Sequence, residues 1–368
     1  MKKKLIIAAC LLVGVSAFLA VLYTADWREI QSALSQMTML KLAAFLAVTF
    51  AGYFSLFTWR WKILLGCHGH NIPFQKLLIY KLSGFGISFI TPTQVGGEPV
   101  RIYFLNHNHG VPLKEATASV LLDKLIEISS FVAFVASGVI LVSFSDIVPG
   151  SALVPIGAIM LGLVGLLLYV FKRIHKGEHI LTAIFNRLGL KRFKKLAKFE
   201  DKIMKTEQLL TDFVSHEGHR KNTLPFVILI SISAWCMTII EYKMLASFLG
   251  FSLSWFESFL VATIPLIAYL LPVPAGLGML EGAQVAMFSM LGYSSGLAIA
   301  VVVLVRLKEI FFSCIGFVYT LSHGVSILGS KKNLQQSSES SRTKPRSLHK
   351  RSHFHTLKKT KKNVKAGV

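Results

Sequence analysis

Lys124-Leu125-Ile126-Glu127-Ile128 and Arg306-Leu307-Lys308-Glu309-Ile310 each place a base and an acid three residues apart inside a long apolar run. The strings are 182 residues apart, and the same offset relates Pro92 to Pro274, Gly96 to Gly278 and Gly110 to Gly292. The turn glutamates Glu98 and Glu281 are 183 apart, a one-residue slip within a glycine-rich turn. A proline, two glycines, a base and an acid at one spacing mark an internal repeat, not a chance match among common Leu and Ile.

The composition around the repeat sets its environment. The chain has 368 residues, 53% hydrophobic and only 16% charged, with a mean hydropathy of +0.58. Soluble domains carry about 25% charged residues, so the composition argues against a water-soluble enzyme. The formal charge of +22 is concentrated in residues 1–4, 172–222 and 329–368, which supply +3, +7 and +11 of it. This is an integral membrane protein.

A bilayer span needs about 20 apolar residues. That ruler predicts six full spans near 5–23, 39–59, 116–144, 150–171, 224–246 and 297–327. The first is too long for a signal-peptide core of about 7–15 residues and reads as an uncleaved span. Two shorter runs, Leu77–Pro92 and Phe259–Pro274, end in Pro and Gly and lead into second short segments, 99–110 and 282–292. They are predicted as re-entrant hairpins, which persist at membrane depth only where buried in protein or lining a wet cavity. Eight spans result if the hairpins cross fully.

Positive charge orients the chain. With residues 1–4 in the cytoplasm, the segments 60–76, 172–222 and 329–368 also fall inside. The opposing loops contain Arg28 as their only base. Both termini are therefore expected in the cytoplasm. Three spans separate the repeat halves, around 77–144 and 259–327, so the second half enters from the opposite face. This is an inverted-topology repeat, whose working site is expected at the repeat interface near the midplane. The basic amphipathic segment 172–222 fits either a helix lying in the anionic interface or a helical hairpin capping the bundle. The tail 329–368 reads as disordered, leaving 1–328 as the membrane domain.

Lys124 lies about eight residues into its span, roughly 12 Å deep at 1.5 Å per residue, and Arg306 is equivalent by the repeat. An isolated charge there costs about 2.5–3.5 kcal/mol, so partners are expected. Glu127 and Glu309 share a helix face with their bases. Two readings stand: ion pairs that only pin the bundle, or, together with Glu98, Arg101 and Glu281, a polar patch suited to a lipid headgroup. Asp123 and Lys308 flank the pairs and read as boundary or snorkelling charges.

Here the residues carry a family resemblance. Pro92-Thr93-Gln94-Val95-Gly96-Gly97-Glu98-Pro99-Val100-Arg101 resembles the P-x-x-x-G-E-x-x-R signature of the lysylphosphatidylglycerol synthase transmembrane region, or flippase-like domain. Pro272-Val273-Pro274-Ala275-Gly276-Leu277-Gly278-Met279-Leu280-Glu281 resembles that family's P-x-G-x-G-x-x-E signature. Gly97 adds a position to the first turn, and Lys124 with Glu127 stand where the family often has Arg and Asp. The resemblance covers most of residues 5–328. It implies a polytopic domain that moves phospholipids or lipid-linked species between leaflets, without the soluble aminoacyl-transfer domain of the full-length synthases.

Other chemistry is poorly represented. Cys10, Cys67, Cys236 and Cys314 form no C-x-x-C pair and read as small hydrophobes. Cys67-His68-Gly69-His70 and Asn106-His107-Asn108-His109 lack a second half at zinc spacing. No P-loop, G-x-S-x-G or H-E-x-x-H occurs. No catalytic residue, metal or cofactor is expected. The expected partners are membrane phospholipids, with anionic headgroups at the basic segments, rather than nucleic acid. Two further classes stay open. One is a membrane-embedded headgroup transferase with Glu98 or Glu281 as base. The other is a scaffold recruiting a soluble partner enzyme through 172–222 and 329–368.

Overall fold

The computed structural model describes residues 27–67, 69–91, 96–145, 147–175, 223–270 and 276–342. The expected span 5–23, most of segment 172–222, the turns 92–95 and 271–275 and the tail beyond 342 lie outside these residues. Among the described residues every regular element is helical. The helices are α1 (Trp27–Ser35), α2 (Met39–Cys67), α3 (Phe74–Ile90), α4 (Glu98–His109) and α5 (Leu113–Val142). They continue as α6 (Gly150–His175), α7 (Thr223–Phe248), α8 (Trp255–Thr263), α9 (Met279–Met290) and α10 (Ser295–Arg342).

Four helical stretches are long and apolar enough to cross a membrane: α2, α5, Leu153–Arg173 within α6, and α7. They overlap the expected spans 39–59, 116–144, 150–171 and 224–246, and the expected span 297–327 lies within α10. Large apolar side chains such as Leu161, Leu168, Ile232 and Val318 are exposed. In water such surfaces mark a docking site or an aggregation liability; around spans of this length they are the lipid-facing side. The chain is a multi-pass membrane protein, all-helical over the described residues.

Span α2 runs further than its apolar composition suggests. It passes Trp59-Arg60-Trp61-Lys62 and ends at Cys67, so Arg60 is buried in the bundle rather than lying in a basic loop at 60–76. The charge is tolerated there because Asp123 of α5 neutralises it. Two stretches depart from α-helical geometry. Phe50–Ser55, in the middle of α2, is a π-helix, and α8 continues as a 3-10 helix over Ile264–Leu270. Such interruptions in long helices recur at functional sites, and both stretches border the cavity described below.

With lipid outside, apolar burial drives helix association only weakly, and close packing takes over. Phe45, Phe134, Leu245, Phe288 and Val301 form one continuous core from α2, α5, α7, α9 and α10. Helices α3 and α10 approach through their backbones. A Cβ on Gly86 would meet the Ser313 carbonyl, and one on Gly316 would meet the Leu82 carbonyl, so both positions require glycine. Helix α3 packs on α4, α4 on α5, and α2 on both α5 and α7. That arrangement brings bases from three helices to one face of α5.

The chain divides into two compact units, Met1–Val318 and Tyr319–Val368. In the second, helix continues to Arg342, so residues 329–342 are helical where the sequence reads as disordered. The cause is local: Lys331, Lys332, Leu334, Gln335 and Gln336 are good helix formers extending an existing helix, which needs no new nucleus.

Candidate functional site

The site is built on the two helices that carry the repeat. On α5, Asp123, Lys124 and Glu127 point into the bundle, and the centre of the first charge cluster is Asp123. Its carboxylate is fully buried and meets Arg60 of α2 at 2.7 Å, Lys81 of α3 at 3.0 Å and Arg101 of α4 at 2.6 Å. Arg60 also donates to Ser231 Oγ of α7 at 3.1 Å. The Arg101 guanidinium lies over the Trp61 ring at 3.9 Å, a contact that strengthens when desolvated.

Glu127 extends this cluster, pairing with Lys124 at 2.8 Å and Lys81 at 2.9 Å. Lys124 in turn meets Glu98, the first residue of α4, at 3.3 Å. The other oxygen of Glu98, Oε2, is buried without a hydrogen-bond partner.

The second cluster is centred on Arg306 of α10. Its Nε donates to Glu281 of α9 at 2.7 Å and its Nη1 to Glu309 at 2.6 Å. Tyr269, at the end of the 3-10 stretch, donates to Glu309 at 3.0 Å. Lys308 pairs with Glu241 of α7, and Gln284 of α9 donates to Tyr242 of α7. As at Glu98, Oε2 of Glu281 is buried without a partner.

Both clusters border one cavity of about 330 Å³. Lys124 and Glu127 reach it from one side, and Glu241, Lys308 and Glu309 come from α7 and α10. Tyr53 and Phe54 of the π-helical turn, Phe85, Phe131, Trp235, Tyr242 and Tyr269 supply aromatic wall. The volume falls within the range of about 300–1,000 Å³ typical of small-molecule sites. An apolar, aromatic wall with a few convergent charges has the chemistry to take an amphiphile, carbon against the rings and polar atoms against the ion pairs.

The residues singled out in the sequence fall into these clusters with different exposures. Glu98, Lys124 and Glu127 come together, as do Glu281, Arg306 and Glu309. Three readings need correction. Arg101, expected in the polar patch beside Glu98, is buried against Asp123 and does not line the cavity. Asp123 is no boundary charge; it is fully buried, and three cations converge on it. Lys308 does not snorkel, since Glu241 holds it inside. Sequence reasoning missed Arg60, Lys81 and Glu241 altogether. Lys81 and Glu241 stand inside apolar runs, and an ionisable residue there is a site candidate in its own right. The histidines weighed as metal ligands have other partners: His70 pairs with Glu115 at 2.5 Å and His109 lies 3.1 Å from the Tyr80 hydroxyl.

Comparison with known proteins agrees with this architecture. Residues 6–316 match the family described as the lysylphosphatidylglycerol synthase TM region. A UPF0104 membrane protein of Methanothermobacter thermautotrophicus is 26% identical over 310 residues, covering 82% of this chain and 90% of the relative. Another from Pyrococcus horikoshii is 25% identical over 352 residues, covering 92% and 100%. One from Archaeoglobus fulgidus is 25% identical over 263 residues, covering 68% and 76%. With a match spanning most of its length, this chain belongs to the lysylphosphatidylglycerol synthase transmembrane-region family.

Proposed function

We propose that the protein moves a phospholipid or lipid-linked species between the leaflets of the cytoplasmic membrane, with the headgroup passing through the cavity between the two charge clusters. The observation that carries this reading is the cavity itself. Charged groups from α5, α7 and α10 border it inside a bundle whose outer surface is apolar. Keeping that many ionisable groups at membrane depth is costly, and they typically mark a substrate or ion path.

The same reading takes the two halves as an inverted repeat, with α3–α4 and α8–α9 as re-entrant hairpins and both termini in the cytoplasm. Its support is the recurrence of elements at the sequence offset. Helices α4 and α9 each have 12 residues, about 18 Å at 1.5 Å per residue, too short for a hydrocarbon core of about 30 Å. Each is followed by a glycine at positive φ, Gly110 at 65° and Gly292 at 85°. Helices α5 and α10 then begin at Leu113 and Ser295. In a cysteine-free background, Gln94→Cys and Leu277→Cys should label from opposite sides. Labelling of both from one side contradicts the inverted arrangement.

Function is tested by reconstituting the full chain in liposomes with chain-labelled lipids and following their exchange by dithionite quenching. Exchange faster than in protein-free vesicles is expected. Rates equal to those vesicles overturn the proposal.

A further inference from the structure

The two clusters differ in charge, and the difference selects a headgroup. Among the described residues, the cluster around Asp123 links four bases (Arg60, Lys81, Arg101, Lys124) to three acids (Glu98, Asp123, Glu127). With every group ionised it is net +1. The clusters around Arg306 and Lys308 contain two bases and three acids, Glu241, Glu281 and Glu309, for a net −1. The cavity therefore lies between a cluster with one base in excess, which faces it through Lys124 and Glu127, and a group with one acid in excess, which faces it through Glu241, Lys308 and Glu309. In a low-dielectric interior an uncompensated charge is expensive, so each wall favours the counter-charge it lacks.

Two details identify where an anion would sit. Lys124 is the most exposed charged side chain in the clusters, at 22%. Its ammonium has three N–H donors, and Glu98 and Glu127 take two of them. Trp235, also in the wall, has a buried indole N–H with no acceptor. On the opposite side Glu309 accepts from Tyr269 through one oxygen and from Arg306 through the other. A carboxylate has about four lone-pair sites, so both oxygens can still accept.

We infer that the cavity takes a zwitterionic phospholipid headgroup of net charge zero, its phosphodiester at Lys124 and its ammonium at Glu309. A purely anionic headgroup satisfies the first wall and is repelled by the second. A purely cationic one does the reverse. The zwitterion lies along the field between them. The inference rests on the lipid-translocation reading and sharpens it to one class of lipid.

The test uses the full chain in liposomes with three chain-labelled lipids: phosphatidylethanolamine, phosphatidylglycerol and a diacyl trimethylammonium-propane. Phosphatidylethanolamine is expected to exchange about tenfold faster than either of the others. Lys124→Gln neutralises the positive wall and should shift preference toward the cationic lipid, whereas Glu309→Gln should shift it toward the anionic one. Residues with only a structural role would slow all three lipids alike. Where a variant fails size exclusion, the wild-type ranking decides. Phosphatidylglycerol exchanging as fast as phosphatidylethanolamine overturns the inference and leaves translocation standing.

If no lipid exchanges, the translocation reading fails, and retention of lipid by purified protein in native mass spectrometry decides the headgroup. Preferential retention of phosphatidylethanolamine supports the inference; equal or greater retention of phosphatidylglycerol overturns it. Soluble glycerophosphoethanolamine should not displace bound phosphatidylethanolamine. Displacement would make the free headgroup the ligand and overturn the lipid assignment.

Discussion

Helices α5 and α10 carry the same base-x-x-acid pattern, yet their surroundings solve the problem of buried charge differently. Around α5, Asp123 draws bases from α2, α3 and α4 and ties these helices together. Around α10, Arg306 pairs with Glu281 and Glu309, and Lys308 makes a separate pair with Glu241. Tyrosines supplement the second arrangement: Tyr269 holds Glu309, and Tyr242 accepts from Gln284. Redundancy is the difference. In the first cluster most charges have two or more opposite partners. In the second, one arginine serves two carboxylates. The first should resist loss of a peripheral member and fail at its centre.

That contrast can be broken from the centre outward. Asp123→Ala leaves Arg60 and Arg101 without their main carboxylate, and a loss of about 3–5 kcal/mol is expected, as for other broken buried pairs. Unfolding in mixed detergent–SDS micelles measures it. Arg306→Gln comes next, at about 3 kcal/mol, because Glu281 and Glu309 lose the base they share. The same titration should place it below Asp123→Ala; the reverse order would mean that the α10 cluster is the more critical one. Gly316→Ala pushes a methyl into the Leu82 carbonyl, and about 1–3 kcal/mol of overpacking is expected. Lys124→Gln should cost least, about 0.5–1.5 kcal/mol, since Glu127 keeps Lys81 and Arg60. A loss as large as that of Asp123→Ala would refute the redundancy.

The sequence made some of this visible and hid the rest for physical reasons. The repeat at one offset, and the base and acid on one face of each long helix, follow from helical periodicity and need no tertiary information. Glu98 and Glu281 stood out because each follows a glycine turn. Asp123 reads in sequence as a boundary residue because it stands beside a recognised pair, and only the convergence of α2, α3 and α4 gives it partners. Arg60 was hidden in Trp59-Arg60-Trp61-Lys62, whose two bases look like the end of a span. A helix that continues past such a string does so only if another helix supplies the counter-charge. The π-helical turn at Phe50–Ser55 left no composition signal; Gly52, which faces Met237 of α7, was its one local clue.

In the proposed function the cavity between the clusters is the path of the headgroup. Thr238 lines it, whereas Ile159 lies exposed on α6. In a chain whose native cysteines have been replaced, Thr238→Cys and Ile159→Cys proteins can be modified with a bulky methanethiosulfonate and reconstituted. Modified Thr238→Cys is expected to lose lipid exchange about tenfold or more, while modified Ile159→Cys keeps its rate. Full exchange by Thr238→Cys protein shown by mass spectrometry to be completely modified would contradict the account.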